Sequence, residues 1–209
     1  MRTVLMISGA LVSSAATLSA QSLVDACGAL GRITVGQWAE YQISSSDPQG
    51  DGQARFAIVD VEEVDGKEYY WHEMRMAAPM GTMVMQMLVP SYPYESSEIH
   101  SAVAQMGNRP AMAVSAQMLG MMQSEGSRYP VKEMAEQCSE AELVAEESIT
   151  VSAGTFDALH LRIPSESDSS DLWVSVDLPF GLVKVSGPGV EMSLLGHGFD
   201  ATSSIGERP

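Results

Sequence analysis

The stretch from Ala54 to Val89 constrains the fold most, because three short runs of β-forming residues are separated there by two turn signals. The first two runs, ARFAIVDVEEV and EYYWHEMRM, are joined across Asp65-Gly66, a dipeptide typical of tight hairpin turns. A second turn at AAPMG leads into the third run, TMVMQMLVP. The sequence therefore predicts an antiparallel β-meander.

Further strands are predicted on both sides of this meander. Residues 33–44 read ITVGQWAEYQIS and precede it, and several strand-like runs follow from residue 142 onward, beginning with ELVAEESITV and its turn at 152–154. Residues 95–123 differ, because their apolar residues recur at helical spacing on both sides of Asn108-Arg109-Pro110. The sequence predicts an α+β fold in which a curved antiparallel half-barrel of about eight strands wraps a helical insert.

The N-terminus, MRTVLMISGALVSSAATLSAQS, resembles an export signal. Arg2 precedes an apolar run that ends in small residues, which is the order found in secretory signal peptides. We expect residues 1–20 to be removed after Ala20, with a cut after Ala16 as the alternative. An uncleaved anchor is disfavoured because the run is short and diluted with Ser and Gly.

Removal of that segment would leave about 190 residues, which suits one domain. We expect a single domain over residues 21–200 and a flexible tail over 201–209. The expected location is the periplasm or the extracellular space, and the processed chain is not expected to span a membrane.

The chain has two cysteines, Cys27 and Cys138. In an oxidising compartment two cysteines most simply form one disulfide, and closing so long a loop stabilises a fold by roughly 4–5 kcal/mol in the chain-entropy model. Two unpaired cysteines are the alternative. Acylation of Cys27 is disfavoured by Asp25 and by its distance from the apolar run.

The formal net charge of −16 disfavours nucleic acid as a partner, because such a surface repels phosphate groups. The sequence contains no HxxxH, HExxH or CxxC pattern, no GxSxG elbow, and no phosphate-binding glycine motif. We therefore expect no catalytic residues, no zinc site and no cofactor.

Methionines are concentrated in HEMRMAAPMGTMVMQML, residues 72–88. Because side chains alternate between the faces of a strand, the two predicted strands each place methionines on one face, and their pairing would set two rows side by side. These residues are Met74, Met76, Met83, Met85 and Met87. The opposite face of the second strand, Thr82 to Leu88, is mixed and is expected to face solvent.

Three interpretations of the methionines remain open. They fill an ordinary core, because methionine adapts to irregular gaps. They line a cavity for flexible hydrophobic ligands, to which the same property is suited. Or they bind Cu(I) together with His72, because thioethers are soft ligands. Methionines on one face of a strand are spaced along it, so they form an extended surface more readily than a set of ligands that converges on one metal ion.

The C-terminal half contains VSAGTFDALHLRI, DLWVSVDLPFGLVKVSG and VEMSLLGHGF in that order. These sequence motifs resemble those of periplasmic LolA/LolB-like proteins. The matching positions are Gly154, Phe156, Trp173, Pro179, Gly181 and Val183. The resemblance implies a curved sheet whose apolar concave face holds acyl chains. No position matches the ligand-gripping arginine of the sorting chaperones, so that role is not transferred.

The leading hypothesis is a non-catalytic exported protein that binds a lipid or other hydrophobic ligand in a methionine-lined cavity. The five strand methionines would line the sheet, and Met112, Leu119 and Met122 would close the cavity from the helical insert. The alternatives are a periplasmic Cu(I)-handling protein and a structural or interaction module of the cell envelope. The expected partners are a hydrophobic small molecule or acyl chain and an envelope protein.

Overall fold

The computed structural model describes residues 23–46, 50–79, 81–124, 136–138, 140–164 and 169–209, without the side chains of 122–124. The predicted signal peptide lies outside these ranges. The described residues form eleven strands. They are β1 Trp38–Ser45, β2 Gly52–Val64, β3 Lys67–Ala78, β4 Gly81–Val89, β5 Ser101–Met106, β6 Met112–Ala113, β7 Glu142–Val151, β8 Gly154–Ile163, β9 Ser170–Val174, β10 Leu182–Gly187 and β11 Val190–Gly198. The helices are α1, residues 23–29, and α2, Ala116–Ser124, with a short helical segment at residues 136–138 and a 3-10 turn at Ser96–Glu98.

All eleven strands belong to one antiparallel sheet, in the order β6-β5-β4-β3-β2-β1-β11-β10-β9-β8-β7. Two meanders, β1 to β6 and β7 to β11, are joined where β1 pairs with β11. Among the described residues, no pairing joins the outermost strands β6 and β7, so the sheet is open. The curved antiparallel α+β architecture agrees with the prediction, but the strand number exceeds the predicted eight.

The predicted hairpin at Asp65-Gly66 is confirmed. Strands β2 and β3 pair from Val64–Lys67 outward, and both turn residues have positive φ, 52° and 75°. Positive φ at both central positions is the geometry of a type I′ turn, whose twist matches the twist of the flanking strands. This turn and the one that joins β3 to β4 fix the register of the meander.

The predicted helix in the first half of 95–123 is wrong. Residues 101–106 form β5, which pairs with β4 from Met83–Met106 to Leu88–Ser101. Ala, Gln and Met favour helices locally, but this segment completes the hydrogen bonds of β4, so tertiary pairing overrides propensity. Helical structure in the insert is limited to the 3-10 turn and α2.

The helix with fully buried core residues is the N-terminal α1, whereas the described part of α2 in the insert packs against the core only through the partly buried Leu119. Ala26 and Leu30 at this helix are each 1% exposed and belong to the larger hydrophobic cluster. The Cys27–Cys138 disulfide, which the sequence predicts, fastens the helix with a Cα–Cα distance of 5.7 Å. Gly181 allows the β9–β10 turn to approach α1, because a Cβ there would lie 3.1 Å from the Ala29 backbone.

The sheet curls toward the face that carries α1, which we call the inner face. The amide of Ala153, in the β7–β8 turn, donates a hydrogen bond of 3.2 Å to the carbonyl of Leu194 in β11. Leu194 is fully buried in the inner cluster, and β11 is separated from β8 by two strands in the sheet order. The β7–β8 hairpin therefore folds over the inner face. Within the described ranges, no helix is long and apolar enough to cross a membrane.

The opposite, outer face of β2 to β5 is covered by the C-terminal segment. Ala201 and Ile205 are 9% and 1% exposed and pack in a second cluster with Trp71 and Leu88. The sequence predicts solvent on this side of β4 and a flexible tail over 201–209. In the structure, the apolar contacts of this segment exclude solvent from the outer face instead.

Polar contacts fasten the same segment to two buried side chains of the sheet. Gln86 donates to Glu73 Oε2 and to Ser203 Oγ, each at 2.7 Å, and accepts a 2.8 Å hydrogen bond from Arg208 Nε. The amide of Ser204 donates to Glu73 Oε2 at 2.9 Å. A buried carboxylate requires such partners. The tail supplies one to Glu73 through Ser204. The sheet supplies Gln86 and the Arg55 guanidinium, which lies 3.6 Å from Glu73 Oε1.

We predict that Ile205→Ala lowers the free energy of unfolding by about 2–5 kcal/mol, because it removes a fully buried side chain. Urea denaturation of the mature protein would measure the loss. Thr202→Ala, at an exposed position of the same segment, is the matched control and should change stability by less than about 0.5 kcal/mol. Equal stability of both variants, with fast amide exchange over 201–209, would show that the tail is free in solution.

Candidate functional site

Two transverse rows of side chains cross the inner face from β1 to the β5–β6 edge. Cross-strand pairing defines each row, and every member is apolar. The first row is Tyr41, Ala54, Met76, Met83 and Met106, and the second is Ala39, Phe56, Met74, Met85, Ala104 and Met112. The predicted side-by-side pairing of methionines on β3 and β4 is therefore confirmed.

Six methionines of these rows form a continuous surface that we call the methionine floor. They are Met74, Met76, Met83, Met85, Met106 and Met112. Directly opposed residues of neighbouring strands have Cβ atoms about 4.5–5.5 Å apart, so adjacent thioethers touch. The floor presents polarizable sulfur and methylene groups, and no member of its rows carries a charge.

The floor is less buried than the face behind it. On β4, the outward-facing Val84, Gln86 and Leu88 are 7%, 0% and 2% exposed, whereas the inward-facing Met83 and Met85 are half-buried. The tail covers the outer side, and the described part of the chain leaves the floor partly open. An apolar surface that stays accessible to solvent is often a binding site.

The structure brings together most of the predicted site residues, but not all. Met74, Met76, Met83 and Met85 lie in the floor, and Met112 extends it at the sheet edge, where it is 64% exposed. Met87 shares their face but is fully buried in the core. Leu119 of α2 packs against the inner cluster, and α2 lies near the 3-10 turn. The side chain of Met122 lies outside the described part of the chain.

Met106 was missed by sequence reasoning because its segment was predicted to be helical. It pairs with Met83 and is 61% exposed. The alternation of Ala102, Ala104 and Met106 on one face was the available signal. Sequence reasoning also missed the aromatic residues beside the floor, because they come from distant loops.

His72 lies beside the second row of the floor inside an aromatic enclosure. Its ring centroid lies 5.2–6.3 Å from the rings of Phe56, Tyr92, Tyr94 and Phe180. Its Nδ1 atom shares a 2.8 Å hydrogen bond with the Tyr94 hydroxyl. This hydroxyl also lies 3.5 Å from the Met87 sulfur. The imidazole is therefore part of a packed aromatic core.

The Nε2 atom of His72 is buried and has no hydrogen-bond partner among the described residues. Burial lowers the pKa of His72 to about 3, because the charged imidazolium would lose its hydration there. The imidazole is therefore neutral at physiological pH. Burial likewise raises the pKa of the Tyr92 hydroxyl well above 10.

A second histidine, His160, is held by charged partners on the other half of the sheet. Its ring stacks on Trp173 at 4.3 Å, and its nitrogens lie 3.3 Å from Glu147 Oε1 and 3.1 Å from Asp171 Oδ1. Partial burial raises the pKa of Asp171, but hydrogen bonds from His160 and Arg162 outweigh that effect and lower it below 3.8. Hydrogen bonds and ion pairs among these side chains hold the imidazole of His160 in place.

A cavity of about 510 Å³ lies between α1 and strands β7 to β9. Its lining includes the carboxylates of Asp25, Glu146, Glu147 and Asp157 and contains no methionine. Glu147 already accepts a hydrogen bond from Trp173, and Asp157 accepts one from Ser148. The cavity is therefore separate from the floor, and acidic and apolar side chains line it together.

No protein-family model matches the chain, and no curated protein matches it in sequence. A Bacteroides fragilis protein described as exported and YmcC-like in fold superposes with a TM-score of 0.38 and 10% identity, over 80% of this chain and 98% of its own. A Parabacteroides distasonis protein described as a lipoprotein superposes with a TM-score of 0.38 and 13% identity, over 81% of this chain and 98% of its own.

A chain from the MucA/MucB complex of Pseudomonas aeruginosa gives a TM-score of 0.41 and 11% identity, and the match spans 89% of this chain but only 59% of that one. These similarities, all with TM-scores below 0.5, assign neither a family nor a function to this chain. The LolA/LolB resemblance stays a prediction.

We predict that His72 makes the folded protein sensitive to acid. Below about pH 6.5 His72 becomes protonated in the unfolded chain, whereas in the folded protein it stays neutral until about pH 3. The free energy of unfolding therefore decreases as the pH falls through this window. Between pH 6.5 and 4.5 the loss is on the order of 2–3 kcal/mol. Urea denaturation at both pH values should show a smaller loss for His72→Phe than for the wild type.

The control for this prediction is His197→Gln, at an exposed histidine. It should retain the wild-type dependence of stability on pH, because the carboxylates that also titrate in this range are unchanged. An identical pH dependence in His72→Phe and the wild type would contradict the burial of a neutral imidazole at this position.

Proposed function

We propose that this chain is a non-catalytic exported binding protein and that the methionine floor holds the hydrocarbon part of a lipid or other hydrophobic molecule. One observation carries the proposal. Among the described residues, the six methionines of the floor stay partly exposed on the inner face, although the outer face of the same strands is covered by the tail.

Methionine suits a ligand whose chain varies in shape. Its side chain is unbranched and has three rotatable bonds, so neighbouring thioethers can rearrange around different hydrocarbon chains. Each methylene that leaves water contributes about 0.8 kcal/mol, and part of this gain offsets the ordering of the ligand. A chain of about ten methylenes would gain roughly 8 kcal/mol before that offset, so micromolar binding would also need contacts to another part of the ligand.

The surroundings of the floor support the same assignment. Its rows end at the exposed Met106 and Met112 on the β5–β6 edge, which gives a ligand a route from solvent. The rows end on β1 at the buried Tyr41 and Ala39, and the aromatic enclosure of His72 lies beside the second row on β3. A ligand chain along the floor would thus enter at an open rim and lie beside a packed aromatic wall.

We predict that Met85→Asp reduces binding of dansyl-labelled undecanoic acid at least about tenfold, because a carboxylate in the middle of the floor has no partner there. Met85→Leu keeps the volume and apolar character and should bind within about threefold of the wild type. Fluorescence titration of the mature protein would give the dissociation constants, and circular dichroism would establish folding.

The matched control is Met118→Asp, the same change at an exposed position of α2 outside the floor. It should leave binding unchanged. Equal binding by all three variants would exclude the floor as the site. Absence of binding by folded wild-type protein, together with native mass spectra that show only the bare polypeptide, would overturn the proposed function and favour an interaction module.

A further inference from the structure

The first row of the floor places three methionines next to one another on three adjacent strands. Met76 on β3 pairs with Met83 on β4, and Met83 pairs with Met106 on β5. The second row differs, because Ala104 separates the Met74–Met85 pair from Met112. Only the first row thus combines three consecutive thioethers, and its members come from distant positions in the chain.

Three methionines on adjacent strands can direct their sulfur atoms toward one point, whereas methionines spaced along one strand cannot. Neighbouring strands lie about 4.8 Å apart, so the outer two Cα atoms of the triplet are separated by about 10 Å, with Met83 between them. The flexible side chains of Met76 and Met106 can both turn toward the sulfur of Met83. Three sulfurs can then surround one point above β4.

The exposure of the triplet fits an ion that enters from solvent. Met76 and Met83 are half-buried, and Met106 at the rim is 61% exposed. A methionine placed only to fill a core would be covered, because its apolar surface gains little when it stays in water. Met106 therefore contributes little packing where it lies, and most of the residue is accessible to solvent.

The chemistry of this donor set selects the metal. Three neutral thioethers are soft ligands and favour Cu(I) over zinc, magnesium or calcium. Among the described residues, no group of three or more His, Cys, Asp or Glu side chains could hold a metal ion. The net charge of −16 favours the approach of a cation.

We infer that Met76, Met83 and Met106 form a Cu(I) site on the methionine floor. His72 is not a ligand of this site, because its Nδ1 atom is engaged by Tyr94 and its ring is enclosed by aromatic side chains. This inference goes beyond the proposed hydrophobic-ligand function and does not depend on it, because it rests on the sulfur atoms and not on the apolar area.

The test is an anaerobic titration of the mature full chain with Cu(I), in competition with the chromophoric chelator bicinchoninate. We expect one Cu(I) per chain. Met83→Leu should weaken binding at least about tenfold, because leucine keeps the volume and removes the central sulfur. Met74→Leu, a methionine of the interrupted second row, is the matched control and should bind within about threefold of the wild type.

X-ray absorption of the loaded protein should show sulfur neighbours of copper without nitrogen. No competition with the chelator would overturn the inference, as would equal affinity of Met83→Leu and wild type, or a nitrogen-containing shell. Binding of dansyl-labelled undecanoic acid by the wild-type protein is measured separately, in the absence of copper. Failure of the copper site is therefore distinguishable from failure of the hydrophobic site.

Discussion

The pairing register of β3 with β4 is the constraint on which the rest of the structure depends. Pairing of Met74 with Met85 and of Met76 with Met83 determines which of the two faces of the sheet each side chain of these strands occupies. A slip by one residue would move the methionines to the outer face and would bring Glu73 and Gln86 inward. The turns at both ends of β3 are short, so the register has little freedom.

The two faces of the meander are then completed by different parts of the chain. The outer face carries a buried carboxylate and a buried amide, and these are stable there because the C-terminal segment supplies hydrogen-bond partners and apolar cover. The inner face is covered by the disulfide-bound α1 at the core, but the described residues leave the floor half-open. Met74 and Met85 of the floor nevertheless pack against the inner cluster.

Local sequence signals predicted the features that depend on neighbouring residues. The Asp65-Gly66 turn, the alternation in β3 and β4, and the resulting methionine pairs follow from rules of strand geometry. The disulfide followed from the number of cysteines and the predicted compartment. Each of these inferences needs information from only a few positions or from composition.

The features that were missed depend on contacts between distant segments. Residues 101–106 have side chains that favour a helix, and only the free edge of β4 makes them a strand. The tail reads as polar and mobile, because Gln86 and Glu73, which bind it, lie over a hundred positions earlier. The triplet at Met76, Met83 and Met106 was hidden for the same reason, since its third member lies in the misassigned strand.

The choice of methionine over leucine or valine links the two proposed properties of the floor. A β-branched or aliphatic strand face would pack as tightly and would bind hydrocarbon through the same loss of apolar surface from water. Methionine adds side-chain adaptability and a soft donor atom, and these are separate properties. A leucine substitution removes the sulfur but preserves apolar volume, whereas an aspartate substitution removes the apolar character. The floor can therefore be divided experimentally into a hydrocarbon surface and a sulfur cluster, although the same residues form both.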